Sequence, residues 1–511
     1  MVKASAGMRR GKAASAKDFN RIIYGVAVVA SVVLSIWCAW AQFVPNPDGA
    51  LYLKAAELIA SGQWSDAVSI YGWPTYSIAI AGVIKLTGLE PFLAAQFISA
   101  VFAAIITVSF IGLADRLSAG DRLVVLCAAI VIIAHPQMLS LRPLIVRDTA
   151  YLAFLLLTLY LVACDIARPS LAAKLGIAIS ILLAGCFRVE GLFLAALVPL
   201  YYLARERGWK HASFIVPAVA AVLVAIFGML FWQGGGFARL VRGQISFDVV
   251  QAMWTLYADD IGKRLHTLRY DFLFPNGNTG NAWGAYLGII WGVTIVNIVR
   301  ALFLPLVVLW IFVLVPKRLP PRPAAGFLLW FAFGQLPVLL IFAFATMLLD
   351  RRYANGMGLI LSVPIAFLLA GLIREWQSRS QYRFFLPFVA IVLLAAWVAA
   401  MPRPSKLGYL KESGRWIGQE LPAGARILTN DIRIAYFSDR PYARPNGVWV
   451  YGYNLPAGSA EGFDYYVFQA KDLNNLPEAL QKVSAKRYMR SFAGKDGNEV
   501  VVFAGRSAVK Q

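Results

Sequence analysis

Long apolar runs separated by short polar loops set the pattern of residues 22–401. A helix that crosses a membrane needs about 20 mostly apolar residues, and by that measure spans fall near 22–43, 91–113, 123–139, 149–165, 175–187, 191–204, 212–232, 296–315, 325–348, 357–373 and 384–401, about 11 in all. Two stretches between spans are long, 44–90 and 233–295. Within the first, residues 49–61 predict a helix whose apolar side is Ala50, Leu51, Leu53, Ala55, Leu58 and Ile59. Trp73-Pro74-Thr75-Tyr76 opens a second helix that runs to Thr87. With Trp64, Tyr71, Trp73 and Tyr76 nearby, both are expected to lie at headgroup level.

Past residue 402 the pattern becomes that of an ordinary globular domain. Residues 407–421 and 477–485 predict helices; 426–429, 464–469 and 500–504 predict strands. The expectation is a small α/β domain at 402–511, after a basic N-terminus at 1–21 and a membrane domain at 22–401 with ordered outer loops. No internal repeat is visible.

Basic residues orient the spans. Lys3, Arg9, Arg10, Lys12, Lys17 and Arg21 precede the first. Alternate loops then carry Arg116 and Arg122; Arg168 and Lys174; Arg205, Arg207 and Lys210; Lys317, Arg318 and Arg322; and Arg374, Arg379 and Arg383. This alternation puts the N-terminus in the cytoplasm. An odd span count then puts the C-terminal domain outside, on the side of Asp48 and Asp148. Ala39-Trp40-Ala41 resembles a signal-peptidase site, but the apolar run exceeds the roughly 7–15 residues of a signal core, so the first segment is read as an uncleaved helix.

Composition sharpens the class. The chain is 59% hydrophobic and 15% charged, where soluble domains average about 45–50% and 25%; mean hydropathy is +0.64. A large soluble enzyme is excluded. The net charge of +21 resides largely in the short loops, and no basic helix interleaved with aromatics suggests a nucleic-acid partner. Cys38, Cys127, Cys164 and Cys186 lie in or beside apolar runs without a CxxC pair, and His135, His211 and His266 are far apart. Neither a disulfide framework nor a cysteine or histidine metal site is indicated.

Two acids stand out. Asp48, in Pro45-Asn46-Pro47-Asp48-Gly49-Ala50-Leu51-Tyr52, and Asp148, in Arg147-Asp148-Thr149, each read first as a helix N-cap. Yet both fall on one membrane face, beside cations or aromatics. A carboxylate at a helix N-terminus is held in place and kept ionised, as a base or a metal ligand must be. Lys85, Arg142, Arg147, Arg188, Arg300, Arg351 and Arg352 sit at or near the outer ends of spans. Snorkelling explains any one of them; together they suit a lipid-linked phosphate, which arginine grips with two parallel bonds. Arg188 and Glu190 read equally as a structural ion pair between short helices or as substrate contacts. Asp350-Arg351-Arg352-Tyr353 also reads as a helix-end cap, and Asp259-Asp260 as a solvated loop.

In order, Asp48 and Tyr52, Trp73-Pro74-Thr75-Tyr76, Lys85-Leu86-Thr87-Gly88, Arg147-Asp148, Phe187-Arg188-Val189-Glu190-Gly191 and Asp350-Arg351-Arg352-Tyr353 resemble the GT-C superfamily of polytopic glycosyltransferases. The likeness is to bacterial members of the protein mannosyltransferase and lipid A aminoarabinose transferase type and covers roughly residues 20–400. Such families often show Pro-Pro where this chain has Trp73-Pro74. The resemblance implies a polytopic α-helical GT-C-like membrane protein with an extracytoplasmic α/β domain. It implies transfer of a sugar, with inversion, from a polyprenyl-phosphate donor to a glycan, lipid or protein hydroxyl outside the cytoplasm.

Under that resemblance Asp48 is the base, and Asp148 orients the acceptor or holds a divalent cation, the one cofactor left open. Lys85, Arg142, Arg147, Arg300, Arg351 and Arg352 receive the donor phosphate; Tyr52, Trp73, Tyr76, Arg188, Glu190 and Tyr353 contact substrate. The alternative class is a transporter for lipid-linked saccharides, which would favour charged, broken helices at mid-membrane and an internal repeat.

Overall fold

The computed structural model describes residues 2–206 (side chains from Asp18), 259, 261–273, 282–302, 320–346, 350–378, 391, 394, 397–398, 401–442, 447–450, 462–470, 487–495 and 497–505. The expected span at 212–232, most of those at 296–315 and 384–401, the helix at 477–485, Asp260 and most of the 233–281 stretch lie outside these residues.

In chain order the helices are α1 (Val2–Ala41), α2 (Pro47–Ala60), α3 (Trp64–Ile70), α4 (Thr75–Thr87), α5 (Pro91–Leu117), α6 (Arg122–Ala134), α7 (Pro136–Leu141), α8 (Asp148–Ala167), α9 (Leu171–Phe187) and α10 (Leu194–Glu206). There follow α11 (Ala282–Leu302), α12 (Arg322–Phe333), α13 (Leu336–Thr346), α14 (Arg351–Ser378), α15 (Gly408–Glu420) and α16 (Ile432–Phe437). Strands are β1 (Ile427–Thr429), β2 (Val448–Val450), β3 (Tyr465–Gln469), β4 (Arg487–Ala493) and β5 (Glu499–Ala504).

These elements form two compact units, 1–36, 99–142 and 147–401 in one, and 37–98, 143–146 and 402–511 in the other. The segments Asp18–Ala41, Pro91–Leu117, Asp148–Ala167, Ala282–Ala301, Arg322–Phe344 and Arg351–Glu375 are long and apolar enough to cross a membrane. The apolar window of Arg351–Glu375 is 83% buried against 22% for Ala282–Ala301, so α14 is the central helix and α11 a peripheral one. On α1, Ile22, Val26, Val29, Val33 and Ile36 stay exposed at helical spacing, the stripe of a lipid-facing helix.

Three spans depart from expectation. The one expected at 123–139 breaks at His135, between α6 and α7. The helix expected at 296–315 begins at Ala282, inside the stretch read as an outer loop. Gly284, Gly288 and three aromatics dilute its hydropathy, yet Tyr286 is fully buried and donates to the Phe344 carbonyl, 2.8 Å away. The span expected at 325–348 is interrupted at Gly334-Gln335. A Cβ at Gly334 would lie 2.6 Å from a Leu197 methyl, so glycine admits that close approach.

In the second unit the sheet order is β2-β1-β3-β5-β4, with β1 parallel to both β2 and β3, and β5 antiparallel to β3 and β4. Alternate residues divide the core. Ile427, Tyr465 and Val467 join α15 and α16 on one face; Leu428, Tyr466 and Phe468 form the other. The expected strands at 426–429, 464–469 and 500–504 appear nearly as read; β2, β4 and α16 were not anticipated. The 402–511 domain does not pack alone: Ala50 of α2 is buried in its core and Leu51 packs against it.

Candidate functional site

In the first unit the site grows from a sharp reversal. α9 ends at Phe187, and the chain turns through a 3-10 segment, Val189–Phe193, into α10. Two glycines permit it: a Cβ on Gly191 would sit 2.3 Å from the Ala184 carbonyl carbon, and one on Gly185 would sit 2.1 Å from a Leu192 methyl. Arg188, in extended backbone, points its side chain back to the first turn of α8.

There the Arg188 guanidinium donates to the Asp148 carboxylate. It also grips Glu190 with two bonds, Nε to Oε2 at 3.1 Å and Nη2 to Oε1 at 2.5 Å. The Tyr353 ring lies over its face, 4.4 Å from Cζ to the centroid. All three charges are buried, with side chains 5%, 5% and 13% exposed. Burial alone would lower the Arg188 pKa; Asp148 and Glu190 outweigh it and hold the group well above its usual value. Burial would likewise raise Glu190, but Arg188, its own backbone N–H and Arg147 bring it below the usual carboxylate range.

The cluster borders a small, partly open recess. Tyr151, Arg188, Glu190, Gln335, Arg352 and Tyr353 form its polar side, and Val338, Leu339 and Phe342 of α13 its apolar wall. The Tyr151 hydroxyl donates to Gln335 Oε1 at 3.4 Å. Arg352 approaches Asp350 at 3.6 Å, and Asp350 caps α14 by accepting the Arg352 N–H at 3.2 Å. Arg147, half-buried before α8, feels Glu190. The charged side chains lining the recess, Arg188, Arg352 and Glu190, carry one net positive charge; behind them Arg188 is also matched by Asp148, and Arg352 by Asp350.

The structure brings together Asp148, Arg147, Arg188, Glu190, Arg352 and Tyr353, which the sequence singled out in separate motifs. Sequence reading missed Tyr151, one turn into α8, Phe342 and Gln335; the Gly334-Gln335 interruption of an apolar run was the available signal. Arg142 stands elsewhere. It is buried and donates to the Ser31 carbonyl at 2.8 Å, Ser35 Oγ at 2.7 Å and Ser31 Oγ at 3.0 Å, which ties α7 to α1. Arg300 and Arg351 are exposed at helix ends, and the Arg300 carbonyl accepts from Gln137 at 3.0 Å.

Neither acid is an N-cap. Asp148 is the first residue of α8, after Arg147. In the second unit Asp48 lies in the first turn of α2, where Pro47 starts the helix and the dipole favours an acid. The N-cap residue Asn46 spends its Oδ1 on the Ile145 N–H, 2.9 Å away. Gly49 lets that segment close in, since a Cβ there would lie 2.9 Å from Ile145 Cβ. Tyr52 and Tyr76 are buried in an aromatic cluster with Tyr71, their ring centroids 5.4 Å apart. Trp73 is half-buried before α4, and Lys85 is exposed in its last turn, before the left-handed cap Gly88 (φ +69°).

Among the described residues no three His, Cys, Asp or Glu side chains gather as metal ligands. Asp148 and Glu190 are both turned to one guanidinium, so this donor set does not fit a divalent cation.

No protein-family model and no curated protein sequence matches the chain. Solved structures do, among them two of one protein. One is ArnT from Cupriavidus metallidurans bound to undecaprenyl phosphate, 14% identical, covering 95% of this chain and 98% of that one, with a TM-score of 0.56. The other is the same protein in the apo state, 13% identical, covering 96% and 98%, with a TM-score of 0.43. The first likeness establishes the fold, which is that of ArnT. The chain is accordingly a membrane-embedded, multi-pass protein.

Proposed function

We propose that the protein is an inverting glycosyltransferase that moves a sugar from a polyprenyl-phosphate donor to a hydroxyl acceptor on the extracytoplasmic face of a bacterial inner membrane. The observation that carries this reading is the recess beside Arg188: one net positive charge against an apolar wall. A polyprenyl-phosphate sugar is a phosphodiester with one negative charge and an apolar chain, and it matches both walls. ArnT, whose fold this chain shares, has been seen with undecaprenyl phosphate bound.

In the proposed reaction Asp48 takes the proton of the acceptor hydroxyl as that oxygen attacks the anomeric carbon, a role typically worth about 10²–10⁴-fold. The bond from anomeric carbon to phosphate oxygen breaks, and its electron pair goes to the phosphate. Arg352 and Arg147, with Arg351, Arg300 and Lys85 as outer cations, neutralise that charge, so no general acid is required. Attack opposite the leaving group inverts the centre. Arg188 is already matched by two carboxylates; it shapes the recess and holds Tyr353 rather than gripping phosphate. Protein, lipid A and polysaccharide are the acceptor classes.

The test is bond exchange. Membranes holding the protein, given a labelled polyprenyl-phosphate sugar, should yield inverted glycosidic product and free lipid phosphate. One feature favours a second reading: the broken α9–α10 pair with buried charges is a device that transporters also use. Movement of the lipid-linked sugar across proteoliposomes without bond exchange would favour that reading and refute the transferase.

A further inference from the structure

α2 carries Asp48 in its first turn and is gripped from two sides. Tyr52, Ala55, Ala56 and Ile59 form one buried flank, against α3 and α4. Ala50, Leu51, Lys54 and Glu57, spaced along one helical stripe, face the C-terminal domain. Ala50 is wholly buried in that domain's core. The Tyr436 hydroxyl of α16 donates to Glu57 Oε1 at 3.2 Å, and Lys54 Nζ donates to Glu57 Oε2 at 3.2 Å and to Asp439 Oδ1 at 3.3 Å.

Exposed ion pairs contribute little: Asp439 is 92% exposed, so its pair with Lys54 adds less than the Lys54–Glu57 pair, whose side chains are 13% and 30% exposed. Asp439 also holds a left-handed backbone (φ +54°), which a non-glycine residue keeps only where its surroundings demand it. The approach to α2 is clasped as well: the Ala41 carbonyl accepts from Ser405 N–H at 2.7 Å, and Lys411 sits over the Phe43 ring.

We infer that the C-terminal domain is a positioning element for Asp48, acting through the Tyr436–Glu57 and Lys54–Asp439 contacts that fix the angle of α2. The inference rests on Asp48 being the base. A carboxylate that must reach one hydroxyl tolerates little error, and misplacement by about 1 Å can cost about 100-fold. Glu57 and Tyr436 are positioning residues, since neither touches the reacting atoms.

The experiment uses the full-length protein in lipid nanodiscs, with amide hydrogen exchange read by mass spectrometry. Envelope glycan per protein molecule is read in parallel, in a deletion strain complemented with each variant. Tyr436→Phe and Glu57→Ala should each speed exchange at residues 47–53 by about tenfold, the double variant no more than the worse single, because both act through one contact. Exchange in β1 and β3 should hold, and product per molecule should fall. Glu57→Gln, which keeps an acceptor for Tyr436, should restore both readouts.

Unchanged exchange at 47–53, or exchange rising equally through the sheet, overturns the inference. Asp48→Asn separates the two ideas. If it keeps full product, the base assignment falls; if it abolishes product while Tyr436→Phe and Glu57→Ala leave product unchanged, the positioning inference alone falls.

Discussion

Arg188, at the break between α9 and α10, is bonded to Asp148, at the start of α8, 40 residues earlier in the chain. With Glu190 on its other edge, it makes one buried unit of two carboxylates and one guanidinium.

Breaking such a unit should cost more than deleting it. Arg188→Met leaves two buried carboxylates facing each other and should destabilise by about 3–5 kcal/mol. Adding Asp148→Asn and Glu190→Gln should recover most of that loss. Thermal unfolding of the single and triple variants in nanodiscs checks it; a triple variant no more stable than Arg188→Met would show that the charges are not coupled.

The reversal at 188–193 depends on two glycines in different ways. The Gly191 Cβ would strike backbone, which cannot move aside, whereas the Gly185 Cβ would strike the Leu192 side chain. Gly191→Ala should abolish stable protein, Gly185→Ala should only weaken it, and Leu192→Ala should rescue the latter, all visible in fluorescence-detected size exclusion.

Much of this was legible in the chain, and the reasons differ by element. Pro47 and Asp48 announce α2, and Gly88 ends α4, because those signals are local. The Arg188–Asp148 bond joins distant segments, so the sequence showed two candidate charges but not their partnership. Arg142 read as a phosphate cation because nothing nearby betrays Ser31 and Ser35, 111 and 107 residues away, as its partners. Tyr52 and Tyr76, expected from the resemblance to contact substrate, pack on each other in the core. β4, with Arg487 and Arg490 on an exposed edge, lacks the apolar run that revealed β3.

Two glutamates should respond to pH in opposite directions. Glu190 titrates below its ordinary 4.5, so its stabilising contribution is present above that value and is lost as pH falls through the folded-state pKa. Burial lifts Glu57 above 4.5, against the pull of Lys54 and Tyr436, with Asp439 adding to the lift; its hydroxyl neighbours are Tyr436 and Tyr442. The stability tied to its neutral form is full below 4.5 and is lost as pH rises through the folded-state value. In melting curves across pH, Glu190→Gln should be less stable than wild type near neutrality and converge with it in acid. Glu57→Gln should gain on wild type as pH rises from 4.5.

Arg352 and Arg142 should separate binding from packing. Arg352→Ala should weaken binding of a polyprenyl phosphate by about 10- to 100-fold, the value of a charged hydrogen bond. Arg142→Met should leave that affinity unchanged and cost about 1–3 kcal/mol of stability by stranding buried serine groups. Titration of each variant with the lipid phosphate, beside its melting curve, checks both.

The most direct measurement is transfer by Asp48→Asn. In membranes supplied with a labelled polyprenyl-phosphate sugar, this variant should accumulate to the wild-type level, melt at the wild-type temperature and form no glycosidic product. Product formed at the wild-type rate would contradict Asp48 as the base.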